Sequence, residues 1–234
     1  MHGGKGEDGN IQRWMEKNNI RYTGSGPLSS ALCMDKANSK DFAALMGIQT
    51  PKWQLFNDPN TEIVLKPPMI IKPNSQGSTF GLTIVEDKMQ LEYAINKAFQ
   101  FGNGVIAEEY IEGREITVPI LEDTVYPIIE IVPSHNIYDF KCKYTPGMTK
   151  YICPAKLDKK VESIIKENTK LLFNEFDCKV YARVDYIVGK NDTPYFLEVN
   201  TLPGMTKTSL FPKSLDSAGL DFSSLVSKII DLSL

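Results

Sequence analysis

Several features that define large protein classes are missing or scarce in this sequence. No apolar run approaches the roughly 18 residues of a membrane-spanning helix, and no signal peptide opens the chain. Excess charge is small: 26 Lys and Arg against 29 Asp and Glu leave −3, which argues against bulk binding to nucleic acid or a membrane surface. Cys33, Cys142, Cys153 and Cys178 form no C-x-x-C pair, so neither a zinc site nor a disulfide framework is suggested. Free thiols suit a reducing cytoplasm, where the sequon Asn191-Asp192-Thr193 is a chance match. The only histidines, His2 and His135, lie in no H-E-x-x-H pattern, and Ser134 lacks a G-x-S-x-G context, so a Ser/His/Asp hydrolase is a poor reading. No G-x-x-x-x-G-K-[ST] occurs, which excludes a P-loop NTPase. Repeats and low-complexity tracts are also absent.

What is present is an ordinary globular chain. Its 234 residues allow one large domain or two modest ones. Apolar spacing predicts helices over 10–19, 35–46, 88–101, 157–176 and 222–234. Strands are predicted over 21–22, 52–56, 69–72, 82–85, 105–110, 115–121, 125–133, 181–188 and 195–200. Hairpins interspersed with helices read as α+β rather than doubly wound.

The most informative stretch is an acidic hairpin, with Arg183-Val184-Asp185 on one strand and Glu198-Val199-Asn200 on the next. Side chains alternate faces along a strand. Arg183 and Asp185 therefore share one face, as do Glu198 and Asn200, while Val184, Tyr186, Leu197 and Val199 are expected in a core. One register sets Asp185 opposite Glu198 and Arg183 opposite Asn200. Like charges about 5 Å apart are destabilising unless something neutralises them. Two carboxylates and an amide oxygen make a hard-cation site such as Mg²⁺ uses together with nucleotide phosphates. The plainer alternative is a solvated sheet face on which Arg183 neutralises Asp185.

Lys72 ends an apolar strand and precedes Asn74-Ser75-Gln76-Gly77-Ser78-Thr79-Phe80-Gly81. A strand lysine beside small residues with free backbone N–H groups suits a triphosphate, although a plain turn has the same composition. Lys36, Lys141 and Lys143 are further phosphate candidates. Glu108, Glu109 and Glu115 are candidates for hydrogen bonding to a nucleoside. Each of these, taken singly, reads better as a surface charge.

Taken in order, these pieces resemble the D-alanine–D-alanine ligase family of the ATP-grasp superfamily. The matching segments are His2-Gly3 with Gly6-Glu7-Asp8-Gly9, Tyr22-Thr23-Gly24-Ser25-Gly26, Met34-Asp35-Lys36, Lys72-Pro73 with Gly77-Ser78, and Glu108-Glu109-Tyr110-Ile111 with Glu115. They continue with Lys143-Tyr144, Cys153-Pro154-Ala155, Arg183-Val184-Asp185 and the block Glu198-Val199-Asn200-Thr201-Leu202-Pro203-Gly204-Met205-Thr206. The resemblance implies an α+β ATP-grasp fold: a partial N-terminal α/β domain over 1–36, a central subdomain over 37–109 and a C-terminal subdomain over 110–234.

The resemblance also implies roles. Lys36, Lys72 and Lys143 would bind ATP phosphates, and Glu108, Tyr110, Ile111 and Glu115 would line the adenine and ribose pocket. Asp185, Glu198 and Asn200 would hold two Mg²⁺ ions, with Mn²⁺ as an alternative. Arg183 and the Gly204 N–H would stabilise an oxyanion, and Ser78 and Tyr144 would position substrates. His2, Glu7, Ser209 and Leu210 would bind substrate. Residues 142–153 would belong to a closing loop. A tyrosine at 144 favours the dipeptide over D-alanyl-D-lactate.

The implied reaction joins two D-alanines through an acyl phosphate in the cytoplasm, for peptidoglycan synthesis. No nucleic acid or membrane partner is implied. A homodimer is implied where the first domain is complete. The family's usual opening strand and Ser-x-Glu turn have no counterpart here. That predicts weak or no turnover and uncovered apolar surface around Ile11 and Trp14. Two alternatives stay open: a chain that binds Mg-ATP without ligating, and a carboxylate–amine ligase for another amino acid.

Overall fold

A computed structural model of the protein describes residues 6–133 and 148–233. His2, His135, Lys141, Cys142, Lys143, Tyr144 and the Pro146-Gly147 turn lie outside the described residues.

Two antiparallel sheets organise these residues. The smaller has the order β1-β4-β2-β3, formed by Trp53–Phe56, Val105–Glu109, Met69–Pro73 and Thr83–Val85. The larger has the order β10-β9-β5-β7-β8, formed by Pro194–Asn200, Tyr181–Gly189, Gly113–Leu121, Ile129–Pro133 and Thr149–Ile152; β6 (Thr124–Val125) pairs with β5. The stretch expected as one strand over 125–133 is thus two short ones, interrupted at 126–128. Residues 21–22 form no strand. The Tyr22 hydroxyl instead donates to Glu16 Oε1 at 2.6 Å, closing that turn onto α1 (Asn10–Lys17).

Each sheet buries one face under helices, and alternation along the strands decides which. On β2, Met69 and Ile71 pack with Ala94, Ile95 and Ala98 of α4 (Leu91–Phe99), which leaves Ile70 and Lys72 on the opposite face. On β5 and β9, Ile116, Val118, Val184 and Tyr186 pack against the long helix Lys159–Glu175. That helix opens on Asp158, whose carboxylate accepts from the Lys160 N–H, a cap of about 1 kcal/mol. Phe196 stacks edge-on against both Phe176 (6.5 Å) and Tyr186 (6.2 Å). Such pairs add about 0.5–1.5 kcal/mol each beyond burial.

Two short helices were not expected. Pro27–Met34 follows Gly26 with proline in the first turn, where a missing N–H costs nothing. Leu210–Ser217 packs Phe211 and Leu215 with Leu121, Tyr181 and the C-terminal helix Phe222–Ser233. Gly9 has φ +84°, and a Cβ there would stand 2.1 Å from the Pro27 carbonyl oxygen, so glycine permits this crossing. Trp14 is 56% exposed. No helix among the described residues is long and apolar enough to cross a membrane.

Candidate active site

With their apolar faces under helices, the two sheets turn their polar faces toward one another across a cleft of about 690 Å³. Every candidate site residue that is among the described residues lines it. They are Glu7, Lys36, Lys72, Ser78, Glu108, Glu109, Tyr110, Ile111, Glu115, Arg183, Asp185, Glu198, Asn200, Gly204, Ser209 and Leu210. The sheets and the loops at their edges bring together residues up to 203 positions apart, from Glu7 to Leu210.

Strand register arranges the larger wall in rows. One row pairs Ile187 with Glu115, Glu115 with Ile131, and Ile131 with Tyr151. The next pairs Glu198 with Asp185 and Asp185 with Thr117. The hairpin register is the one read from the sequence, with Asp185 opposite Glu198 and Arg183 opposite Asn200. The expected placing of Leu197 is overturned. A β-bulge between Phe196 and Glu198 shifts the register, so Phe196 is the core residue and Leu197 lines the cleft beside Glu198. One extra residue in a strand reverses every side chain beyond it.

The smaller wall repeats the layout. Ile84, Ile70 and Glu108 form one row, and Lys72 stands in the next, opposite Ile106. Each wall therefore carries two isoleucines and a single glutamate (Glu108 or Glu115) in one row, beside a row that holds Lys72 on one wall and Asp185 with Glu198 on the other. The β2–β3 loop overhangs them, with Ser78 (φ +54°) and Thr79 (φ +62°) in the left-handed region. Gly81 also has positive φ, and a Cβ there would meet Phe101 and Pro73 at 2.8 and 2.9 Å.

The charges are arranged in two clusters. In the first, Glu108 Oε2 lies 3.0 Å from both Lys40 Nζ and Lys72 Nζ. Burial pushes the Glu108 carboxyl up, but the two ammonium groups outweigh it and hold it below its ordinary range. Burial pushes Lys40 down to about 8 against the pull of Glu108, which leaves it cationic at neutral pH. In the second cluster, Arg183 forks onto Asp185, Nε to Oδ1 at 3.0 Å and the second nitrogen to Oδ2 at 2.8 Å. Thr117 Oγ1 donates to the same carboxylate at 2.5 Å, and Lys36 Nζ pairs with Glu198 Oε2 at 3.0 Å. Lys36 also donates to the Gln76 carbonyl at 2.7 Å, which ties the overhanging loop to the start of α3 (Lys36–Leu45).

The donor chemistry selects among metals. Among the described residues no cluster of three or more His, Cys, Asp or Glu side chains could cage a metal ion. Asp185, Glu198 and Asn200 offer oxygen only, and Asn200 Oδ1 already accepts from the Leu202 N–H at 3.2 Å. An oxygen-only set that leaves positions for water and phosphate fits Mg²⁺. Near the cleft's other end, Ser209 Oγ accepts from the Thr206 N–H at 3.1 Å and bonds the Thr206 hydroxyl at 2.8 Å.

Two residues of these clusters went unread in the sequence. Lys40 carried a usable signal, since it lies four residues after Lys36 on the same helical face. Thr117 shares a face with Glu115, but its meeting with Asp185 depends on a pairing 68 residues apart.

Comparison with known proteins bears on the sequence and the fold. Residues 40–231 match the family described as D-ala D-ala ligase C-terminus. A D-alanine–D-alanine ligase of Methylacidiphilum infernorum (isolate V4) is 42% identical over 233 residues, covering 100% of this chain and 77% of that protein. The crystal structure of the Bacillus anthracis ligase superposes with a TM-score of 0.89 at 38% identity, covering 100% of this chain and 78% of that one. The same enzyme complexed with ATP gives 0.84 at 36% identity, covering 100% and 77%.

Proposed function

The chain belongs to the D-alanine–D-alanine ligase family, and on that premise we propose that it uses Mg-ATP to join two D-alanines into D-alanyl-D-alanine. The observation that carries this reading is the convergence of sixteen candidate residues on one cleft. The ATP complex of the Bacillus anthracis relative, whose chain matches 100% of this one, supports the nucleotide assignment.

The row layout supports one direction for the nucleotide. The base lies between Ile70 and Ile84 on one wall and Ile131 and Ile187 on the other, with Glu108, Tyr110, Ile111 and Glu115 at its rim. The triphosphate runs toward the charged rows, where Lys36 and Lys72 meet it under the 75–81 loop, with Lys143 as a third cation. Asp185, Glu198 and Asn200 would hold the metal, two Mg²⁺ ions with Mn²⁺ as an alternative. The metal would supply charge neutralisation to the phosphoryl group being transferred.

A carboxylate is a poor acyl donor, and phosphorylation supplies a leaving group. An oxygen of the first D-alanine's carboxylate bonds to the γ-phosphorus as the bond to the bridging β,γ-oxygen breaks, and ADP leaves. The second D-alanine's amine nitrogen then bonds to the carbonyl carbon and loses its proton. Arg183, with its planar donor fork, and the Gly204 N–H hold the oxyanion of the tetrahedral intermediate until phosphate departs. Glu7 and His2 bind substrate, Ser78 and Tyr144 position it, and Ser209 with Leu210 take the second carboxylate. The reaction belongs to the cytoplasm, where free thiols persist.

The test is ADP release with Mg-ATP in the presence and absence of D-alanine. D-alanine-dependent release supports ligation. ATP binding without such release contradicts it, and release only with another amino acid reassigns the substrate.

A further inference from the structure

Lys40 lies outside the cleft lining, yet its ammonium is fully buried and touches both walls. It makes three contacts: Glu108 Oε2 at 3.0 Å, Thr50 Oγ1 at 2.9 Å and the Phe196 carbonyl oxygen at 3.3 Å. Two of these are hydrogen bonds, to Thr50 and the Phe196 carbonyl, and the third is an ion pair with the buried Glu108 carboxylate. Glu108 belongs to the smaller sheet, and Phe196 to β10 of the larger one. Thr50 donates to the same Phe196 carbonyl at 3.1 Å, and the Phe196 N–H donates to the Gln49 carbonyl at 2.8 Å. Phe196 is the residue at the bulge that puts both Leu197 and Glu198 on the cleft face.

We propose that Lys40 is a positioning residue of the nucleotide site, a bolt that joins the wall carrying Glu108 to the bulge carrying Glu198. It thereby sets the distance between the base-binding rows and the metal-binding row. A buried ammonium is a weak source of stability, because desolvation offsets most of its pairing. What an ion pair to one sheet and a hydrogen bond to the other do supply is a defined spacing. Lys40 touches neither nucleotide nor metal and acts through Glu108 and the bulge. The inference rests on the nucleotide site proposed above and deepens it.

The experiment compares the chain with Lys40→Met and Thr50→Val. Calorimetry measures binding of Mg-adenylyl imidodiphosphate, a non-hydrolysable ATP analogue, and steady-state assays measure KM for ATP and for D-alanine. Lys40→Met is expected to weaken analogue binding by at least about tenfold, the scale for losing a group that orients a ligand-binding side chain. KM for ATP rises with it, while kcat at saturating ATP and KM for D-alanine stay within about twofold. Thr50→Val keeps the pair with Glu108 but removes one anchor of the bulge carbonyl. It is expected to weaken analogue binding by about threefold, in the same direction as Lys40→Met. This milder variant decides the matter if Lys40→Met fails to fold.

A lowered melting temperature with unchanged analogue affinity in both variants overturns the proposal. So does a fall in kcat with unchanged KM for ATP. The unvaried chain separates the two levels. Analogue binding without D-alanine-dependent ADP release contradicts ligation, and Lys40 is then judged on affinity alone. No analogue binding by the unvaried chain overturns both.

Discussion

The two walls of the cleft carry charged clusters built in opposite ways. At the smaller sheet, Glu108 of β4 and Lys40 of α3 are at most 1% exposed, and with Lys72 they form a dry cluster of two cations and one anion. One positive charge is left over, and Lys72 presents it to the cleft. On the larger sheet, Arg183 with Asp185 and Lys36 with Glu198 balance one another, and Glu198 keeps 31% exposure. A dry cluster with a surplus charge is a fixed feature of the wall. A balanced, partly wet cluster can exchange partners, since each carboxylate is held by a cation that phosphate could equally engage. Binding is thus divided between a preset cation on one side and a set of exchangeable carboxylates on the other.

The largest expected effect lies in the exchangeable cluster. Glu198→Ala removes a proposed metal ligand and is expected to lower ADP formation by well over a hundredfold, beyond the roughly 10–100-fold of an outer-shell loss. Circular dichroism should show the fold intact, and near-normal turnover would break the assignment.

Stability should invert that order. Glu108→Gln leaves two buried ammonium groups without their anion and is expected to cost about 3–5 kcal/mol in urea unfolding. Asp185→Asn keeps an amide oxygen that can still accept from Arg183, and is expected to cost less, about 1.5–3 kcal/mol. Equal losses would erase the distinction between the clusters.

Acid sharpens it further. The folded state holds the Glu108 carboxyl below its ordinary value. Its contribution is therefore fully present above the unfolded value of about 4.3 and is lost as pH falls through the folded value below it. The stability gap between the chain and Glu108→Gln should stay constant from pH 7 to about 5 and narrow below about 4.3. A gap that is flat throughout would mean Glu108 is not held ionised by its lysines.

The smallest effect belongs to Thr117, which donates to Asp185 at 2.5 Å. Thr117→Val is expected to raise the Mg²⁺ concentration needed for half-maximal activity by about tenfold, with a smaller change in stability. An unchanged Mg²⁺ requirement would separate Asp185 from the metal.

How much of this was legible in the sequence differs along the chain for physical reasons. The Asp185–Glu198 pairing could be read because both strands belong to one hairpin and alternate cleanly there. The bulge at Leu197 could not, because local alternation carries no mark of an inserted residue. Its cause is distant: residues 49 and 50 and Lys40 hold the Phe196 peptide from outside the hairpin. Lys36 was read from its motif, whereas Lys40, one turn further, matched no motif, and only its helical face shared with Lys36 pointed to the site. The helix Pro27–Met34 buries Ser29, Ser30 and Cys33, so its buried side is not an apolar stripe and offers no hydrophobic period. The helix Leu210–Ser217 contains Pro212, a residue that reads as a breaker unless it lies in the first turn. The fold class, two sheets with helices on their outer faces, needed only the order and spacing of the elements.

The most direct test of the ligase reading is product stoichiometry. The chain is incubated with Mg-ATP and D-alanine, and D-alanyl-D-alanine is measured by mass spectrometry alongside free phosphate. The account predicts one dipeptide per phosphate and no phosphate release when D-alanine is omitted. Phosphate released at the same rate without D-alanine, or bound Mg-ATP with no dipeptide formed, would contradict it.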